Sequence, residues 1–164
     1  MKKQSNLSRL MGYAGKHRIL TYLSWVLSAV SALLTLVPFW YIWRILREVI
    51  AVSPHYENAV HITRYGWMAV LCAVLSVLIY ITGLMCSHLA AFRIATNLWF
   101  TMTRHIAALP LGAIERFGSG KLRRTISETS GAAETYLAHQ LPDKARAMAT
   151  IAGLLALLLA FDWR

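Results

Sequence analysis

Two long stretches without a charged side chain decide what this chain can fold into. Ile19 to Trp43 holds no Asp, Glu, Lys or Arg, and Tyr65 to Phe92 is equally free of them, with the titratable His88 near its end. Each exceeds the roughly 20 apolar residues that a helix needs to cross a ~30 Å hydrocarbon core at about 1.5 Å per residue. A third run, Ala147 to Phe161, is short alone and reaches spanning length by borrowing flanking residues from Leu137 onward. Only helices and closed barrels satisfy every backbone polar group inside a bilayer, and runs this long suit helices. The hydrophobic fraction of 57% is concentrated in these runs, which argues against a soluble domain of 164 residues. The expected class is an all-α membrane protein with an N-terminal amphipathic helix and three long transmembrane helices.

A cleaved signal peptide is the competing reading of the amino terminus, with Met1-Lys2-Lys3 as its basic start and Val30-Ser31-Ala32 as its cleavage site. The apolar run continues past that site to Trp43, which suits an uncleaved span.

The formal charge of +10 would point to nucleic acid in a soluble chain. Here the basic residues flank the apolar runs: Lys2, Lys3, Arg9, Lys16 and Arg18 precede the first, and Arg93, Arg104, Arg116, Lys121, Arg123, Arg124, Lys144 and Arg146 separate the second from the third. The positive-inside bias puts both regions, and the N-terminus, in the cytoplasm. Membrane lipid is therefore an expected partner and nucleic acid is not. Cys72 and Cys86 fall within the second run with no CxxC or histidine cluster beside them, so they read as small hydrophobes and no metal site is expected.

Along the chain, Leu7, Leu10, Met11 and Ala14 recur at helical spacing opposite Ser5, Arg9 and Lys16, the pattern of a short amphipathic helix within residues 1–18 lying in the membrane interface. The first span is placed at 19–43, with Pro38 as a source of kinking. An external loop at 44–63 carries the turn signals Ser53-Pro54-His55 and Tyr56-Glu57-Asn58. Trp25, Phe39, Trp40, Tyr41, Trp43, Tyr65 and Trp67 are expected as an aromatic belt at the outer interface. The second span, 64–109, has no proline and would run on the order of 70 Å, more than twice the hydrocarbon core, so its lower part should project into the cytoplasm. Leu109-Pro110-Leu111-Gly112 ends it, and Gly118-Ser119-Gly120 marks a turn within an intracellular segment, 110–136, that leads to the third span at 137–164.

This order of elements, with LPLGAIERFGSGKLRRTISETSGAAETYLAHQLPD between the second and third spans and AFDWR at the end of the third, resembles the type I transmembrane domain of ABC exporters over essentially the whole chain. Leu109, Pro110, Leu111, Phe117, Gly120, Leu122, Arg124, Ile126 and Glu128 stand in the places of the family pattern. It is departed from at Ile114, where an aromatic is usual, and at Glu128, where aspartate is common. Gly120-Lys121-Leu122-Arg123-Arg124 together with Leu137 to Asp143 is most similar to the siderophore- or metal-linked bacterial subgroup. The resemblance implies a bacterial inner-membrane, multi-pass protein with a cytoplasmic coupling helix over about Leu122 to Ser130. That helix would dock on a nucleotide-binding domain through Lys121, Leu122, Arg123, Arg124, Ser127 and Glu128. It also implies a second transmembrane half, in a homodimer or heterodimer, and ATP and Mg on a nucleotide-binding domain outside this chain. An ordinary solvated loop whose charges only set topology is the alternative for the same residues.

No ATPase motif is present in the sequence, so whether the chain belongs to an enzyme is left open, and no catalytic, cofactor-binding or metal residue is assigned within it. Gly118-Ser119-Gly120-Lys121 imitates the end of a phosphate-binding loop, but Glu115 and Leu122 stand where that loop needs Gly and Ser or Thr. His88 is a candidate contact on a substrate or proton path, weighed against a packed histidine facing another helix. Gly83 and Ser87 form a small-xxx-small pair suited to close helix approach. The expectation is an N-terminal fragment of an ATP-driven transporter subunit. A small nonenzymatic membrane protein that modulates a full transporter, or an inactive remnant, is the alternative.

Overall fold

The computed structural model describes residues 6–56 and 59–161, the side chains of Asn6, Arg9 and Lys16 excepted. Lys2, Lys3, Ser5, Glu57, Asn58 and the Asp162-Trp163-Arg164 end of AFDWR lie outside the described residues. Helix α1 (Asn6–Gly12) leads through a 3-10 turn (Gly15–His17) into α2 (Arg18–Val52), followed by α3 (Ile62–Ala107), α4 (Leu111–Phe117), α5 (Ser119–Thr135), a π-helical turn (Tyr136–Gln140) and α6 (Leu141–Phe161). No strand occurs among the described residues. Three helical stretches are long and apolar enough to cross a membrane: Arg18–Val52, Ile62–Ala107 and Ser119–Phe161. In the most apolar windows of the second and third, only 11% and 0% of residues are buried by the chain itself. Apolar surface on that scale is untenable in water and natural in lipid.

These helices carry many hydroxyl side chains, and the helix absorbs them. Ser24, Ser31 and Ser76 donate to carbonyls three residues back, and Thr35, Thr82, Thr96, Thr101 and Thr150 to carbonyls four back, at 2.7–3.0 Å. A hydroxyl that closes locally costs little in a bilayer.

The chain divides into two compact units. One comprises Met1–Ser24 and Leu84–Pro142. In it the apolar stripe of α1 packs on protein: Met11 and Ala14 are buried, and Leu7 and Leu10 face Leu98, Ala132, Ala133 and Tyr136. Asn97 donates to the Tyr13 carbonyl at 3.2 Å, and Arg18 to that of Met11 at 2.6 Å, so the turn into α2 is tied to the unit. The lead-in helix expected in the interface is therefore held on its apolar side by the chain. Ala90, Ala91, Ile94, Ala95 and Leu98 of α3 and Ile126, Ala133, Leu137 and Ala138 supply the rest of the core.

The other unit comprises Trp25–Gly83 and Asp143–Arg164. Here α2 continues nine residues beyond Trp43, so the loop expected at 44–63 is reduced to 53–61. Two interactions explain the extension. The guanidinium groups of Arg44 and Arg47 lie 4.6 and 5.4 Å from the rings of Trp40 and Trp43, respectively, one turn back, which keeps the charges compatible with a helix beside an aromatic layer. Glu48 accepts the His61 backbone N–H at 3.0 Å, supplying a partner at the start of α3, where N–H groups lack helical ones. Of the aromatic residues read as a belt, Tyr41 is in ring contact with Trp40 and Tyr65, and Trp43 lies against Phe161 at 4.8 Å. Trp25 stands apart from these, about 22 Å along the same helix. Pro38 lies inside α2 without ending it. At Gly153, an added Cβ would fall 2.6 Å from Leu36 Cδ1 and 2.9 Å from Leu33 Cδ2, so α6 approaches α2 through a missing side chain.

Candidate functional site

Two features of the first unit concentrate its chemistry: the tip between α3 and α5, and the face where α3 meets the π-helical turn.

At the tip, α3 stops at Ala107 and Pro110 opens α4 with φ −58° and ψ 145°. Proline restricts the preceding residue away from helical values and has no N–H to lose, so a break and a fresh start are both local consequences of Leu109-Pro110. Helix α4 has no buried residue, and Leu111 and Phe117 are 71% and 55% exposed. Gly118 closes it with φ +81° and ψ 127°, its N–H donating to the Ile114 carbonyl. A side chain is strained in that region by about 1–3 kcal/mol, while the space around Gly118 is open. Gly118→Ala is therefore expected to loosen the tip with the long helices intact, read as faster tryptic cleavage after Arg116 with an unchanged helical signal.

The six docking residues named from the sequence lie beyond Gly118, in the first half of α5. Lys121, Arg123, Arg124, Ser127 and Glu128 are exposed, and Leu122 is half-buried above buried Ile126. They do not form a short helix of their own over 122–130: α5 runs on through the π-helical turn into α6. With no proline or positive-φ residue between Ser119 and Thr135, nothing interrupts the ladder there. The separate short helix of the segment is α4. Arg124 Nε meets Glu128 Oε1 at 2.6 Å, with the two side chains 79% and 64% exposed. A solvated i,i+4 pair of this kind contributes about 0.3–0.5 kcal/mol, so it presents charge more than it stabilises.

The second feature follows from Pro142. A proline at this position offers no N–H to the Ala138 carbonyl four residues back, and its ring crowds that carbonyl. The backbone responds with the π-helical turn at Tyr136–Gln140, in which the Leu141 N–H bonds to the Tyr136 carbonyl. The Leu137 and Ala138 carbonyls are left without their α-helical donors. Ser87 of α3, 1% exposed, fills the gap: its hydroxyl lies 3.1 Å from the Leu137 carbonyl oxygen and 2.7 Å from that of Ala138. The small residue expected to allow close approach thus also supplies the missing donor.

One residue further along α3, His88 is half-buried with its ring 4.8 Å from that of His139, the planes at 80°. The packed arrangement weighed for His88 is a ring-on-ring contact. His139 could not be found from the sequence as its partner, because the one-residue offset of the π-helical turn sets where it points. Cys72 and Cys86 are free thiols, and no group of three or more metal-ligating side chains occurs among the described residues. Set against known proteins, the chain matches no protein-family profile, no curated protein and no solved structure.

Proposed function

We propose that this chain is the N-terminal part of an ABC exporter type I transmembrane domain in a bacterial inner membrane, with its N-terminus in the cytoplasm. It would supply transmembrane helices and a cytoplasmic docking tip to an ATP-driven transporter. The observation that carries the reading is the tip: a second helix of 46 residues, about 69 Å, continues past its apolar run and delivers a short helix with no buried residue between Pro110 and Gly118. A helix presenting Leu111 and Phe117 to solvent at the end of two long levers is built to be held by something else. Its partner on this reading is a nucleotide-binding domain carrying ATP and Mg. Closure of two such domains would move α4, and rigid α3 and α5 would carry the displacement toward the membrane. A second transmembrane half would cover the faces of α3 and α6 that this chain leaves exposed.

The basic face of α5 gives the tip a charged flank, with Lys121, Arg123, Arg124 and Glu128 beside the docking helix. Replacing Arg124 and Glu128 together by Gln tests it. Stability should change by no more than about 0.5 kcal/mol, while ATPase stimulation and transport in the assembled transporter fall severalfold. Unchanged transport would remove α5 from the coupling surface and leave α4 alone in that role.

A further inference from the structure

A cleft of about 380 Å³ lies between the part of α3 beyond its apolar run and the middle of α5, both in the first unit. Thr96, Trp99 and Phe100 line it from α3; Ser127, Ser130 and Glu134, at i, i+3 and i+7, line it from α5. Its size is within the range of small-molecule sites. Three observations define its chemistry. Ser127 is exposed in the lining, whereas the Ser130 hydroxyl is enclosed by the chain and out of a ligand's reach. Glu134 is half-buried, and the ion pair found among the described residues, Arg124 with Glu128, lies elsewhere. Among the described residues no Lys or Arg lines the cleft, although the chain carries 17 of them against 7 acidic residues. Trp99 and Phe100 then stand with ring centroids 5.5 Å apart at 84°, 44% and 61% exposed, and offer π-faces at the mouth.

An anion is excluded by the carboxylate, and a purely apolar ligand would leave Glu134 without a counter-charge. A cation with N–H groups and an apolar remainder answers every feature. We infer that the cleft binds an organic ammonium or guanidinium: its charge on Glu134, an N–H donating to the Ser127 hydroxyl, and its apolar part against Trp99 and Phe100. The lining residues named all belong to this chain, so binding can be measured on it with no docked ATPase.

The test is equilibrium dialysis of the full chain in nanodiscs of zwitterionic lipid, with empty nanodiscs subtracted, using benzylguanidine as the probe. Saturable binding of one probe per chain is expected. Benzylurea, its neutral isostere, and benzyltrimethylammonium, which has the charge but no N–H, should each bind about tenfold or more weakly. Glu134→Gln should reduce benzylguanidine binding by about tenfold or more, and Ser127→Ala by a smaller factor. Benzylurea binding as tightly as benzylguanidine, or no saturable binding at all, would overturn the assignment. So would full affinity in a correctly folded Glu134→Gln chain. Should that variant fail to elute as the parent does, the benzylurea comparison on the unmodified chain decides.

Discussion

Ser87→Leu is expected to destabilise the first unit by about 2–4 kcal/mol, read as a lower midpoint when the chain in mixed micelles is titrated with SDS. The position is 1% exposed, so a larger side chain must push α3 away from the turn at Tyr136–Gln140. The substitution also removes the donor shared by the Leu137 and Ala138 carbonyls. Ser87→Ala isolates the second contribution and should cost between about 0.6 kcal/mol, the average for hydrogen bonds between membrane helices, and ~1.7 kcal/mol, their maximum. The account makes a sharper claim about coupling. Pro142→Ala restores an N–H that the Ala138 carbonyl can accept, so Ser87→Ala should cost less in that background than in the parent. Equal costs in the two backgrounds would mean that the proline is not what creates the need for Ser87.

The second large effect is functional. Replacing Leu111 and Phe117 together by Ser should abolish coupling in an assembled transporter while leaving the isolated chain's stability nearly unchanged. Both residues are mostly exposed, and the half-buried side of α4 is Ala113 and Ile114, so their removal forfeits little internal packing. At an interface the same side chains would be the apolar anchors, the kind of residue whose truncation costs ~2 kcal/mol or more of binding. ATP hydrolysis should lose its response to the transmembrane part, and the loss should exceed that of the Arg124 and Glu128 double substitution, because exposed charge pairs contribute little.

Much of the architecture was legible in the chain because bilayer helices obey simple length and charge rules. The uncharged runs 19–43 and 65–92 placed α2 and α3, and Leu109-Pro110 and Gly118 marked the breaks on either side of α4. The ends of the helices were less legible, since they depend on contacts across the fold. Arg44 and Arg47 read as loop charges until their stacking on Trp40 and Trp43 keeps them helical, and Glu48 binds the His61 N–H from thirteen residues away. The resemblance points to residues 122–130 as a coupling helix, and the structure places them within α5. That α4 is the separate helix, and that residues 122–130 belong to a continuous rod, requires the backbone geometry at Pro110 and Gly118. The cleft around Glu134 was hidden for the same reason: Trp99 and Glu134 are 35 positions apart, and nothing local to either marks the other.

The proposed docking role of α4 is tested most directly by placing a photo-crosslinking amino acid at position 117, in membranes of the native host, and identifying the adduct by mass spectrometry. Position 151, on the exposed apolar face of α6, serves as the control. The account predicts that the adduct from 117 contains a peptide from a nucleotide-binding domain with a Walker A loop, and that the adducts from 151 contain lipid or transmembrane peptides. Adducts from 117 that hold only lipid would place the tip in the membrane and contradict a cytoplasmic docking helix.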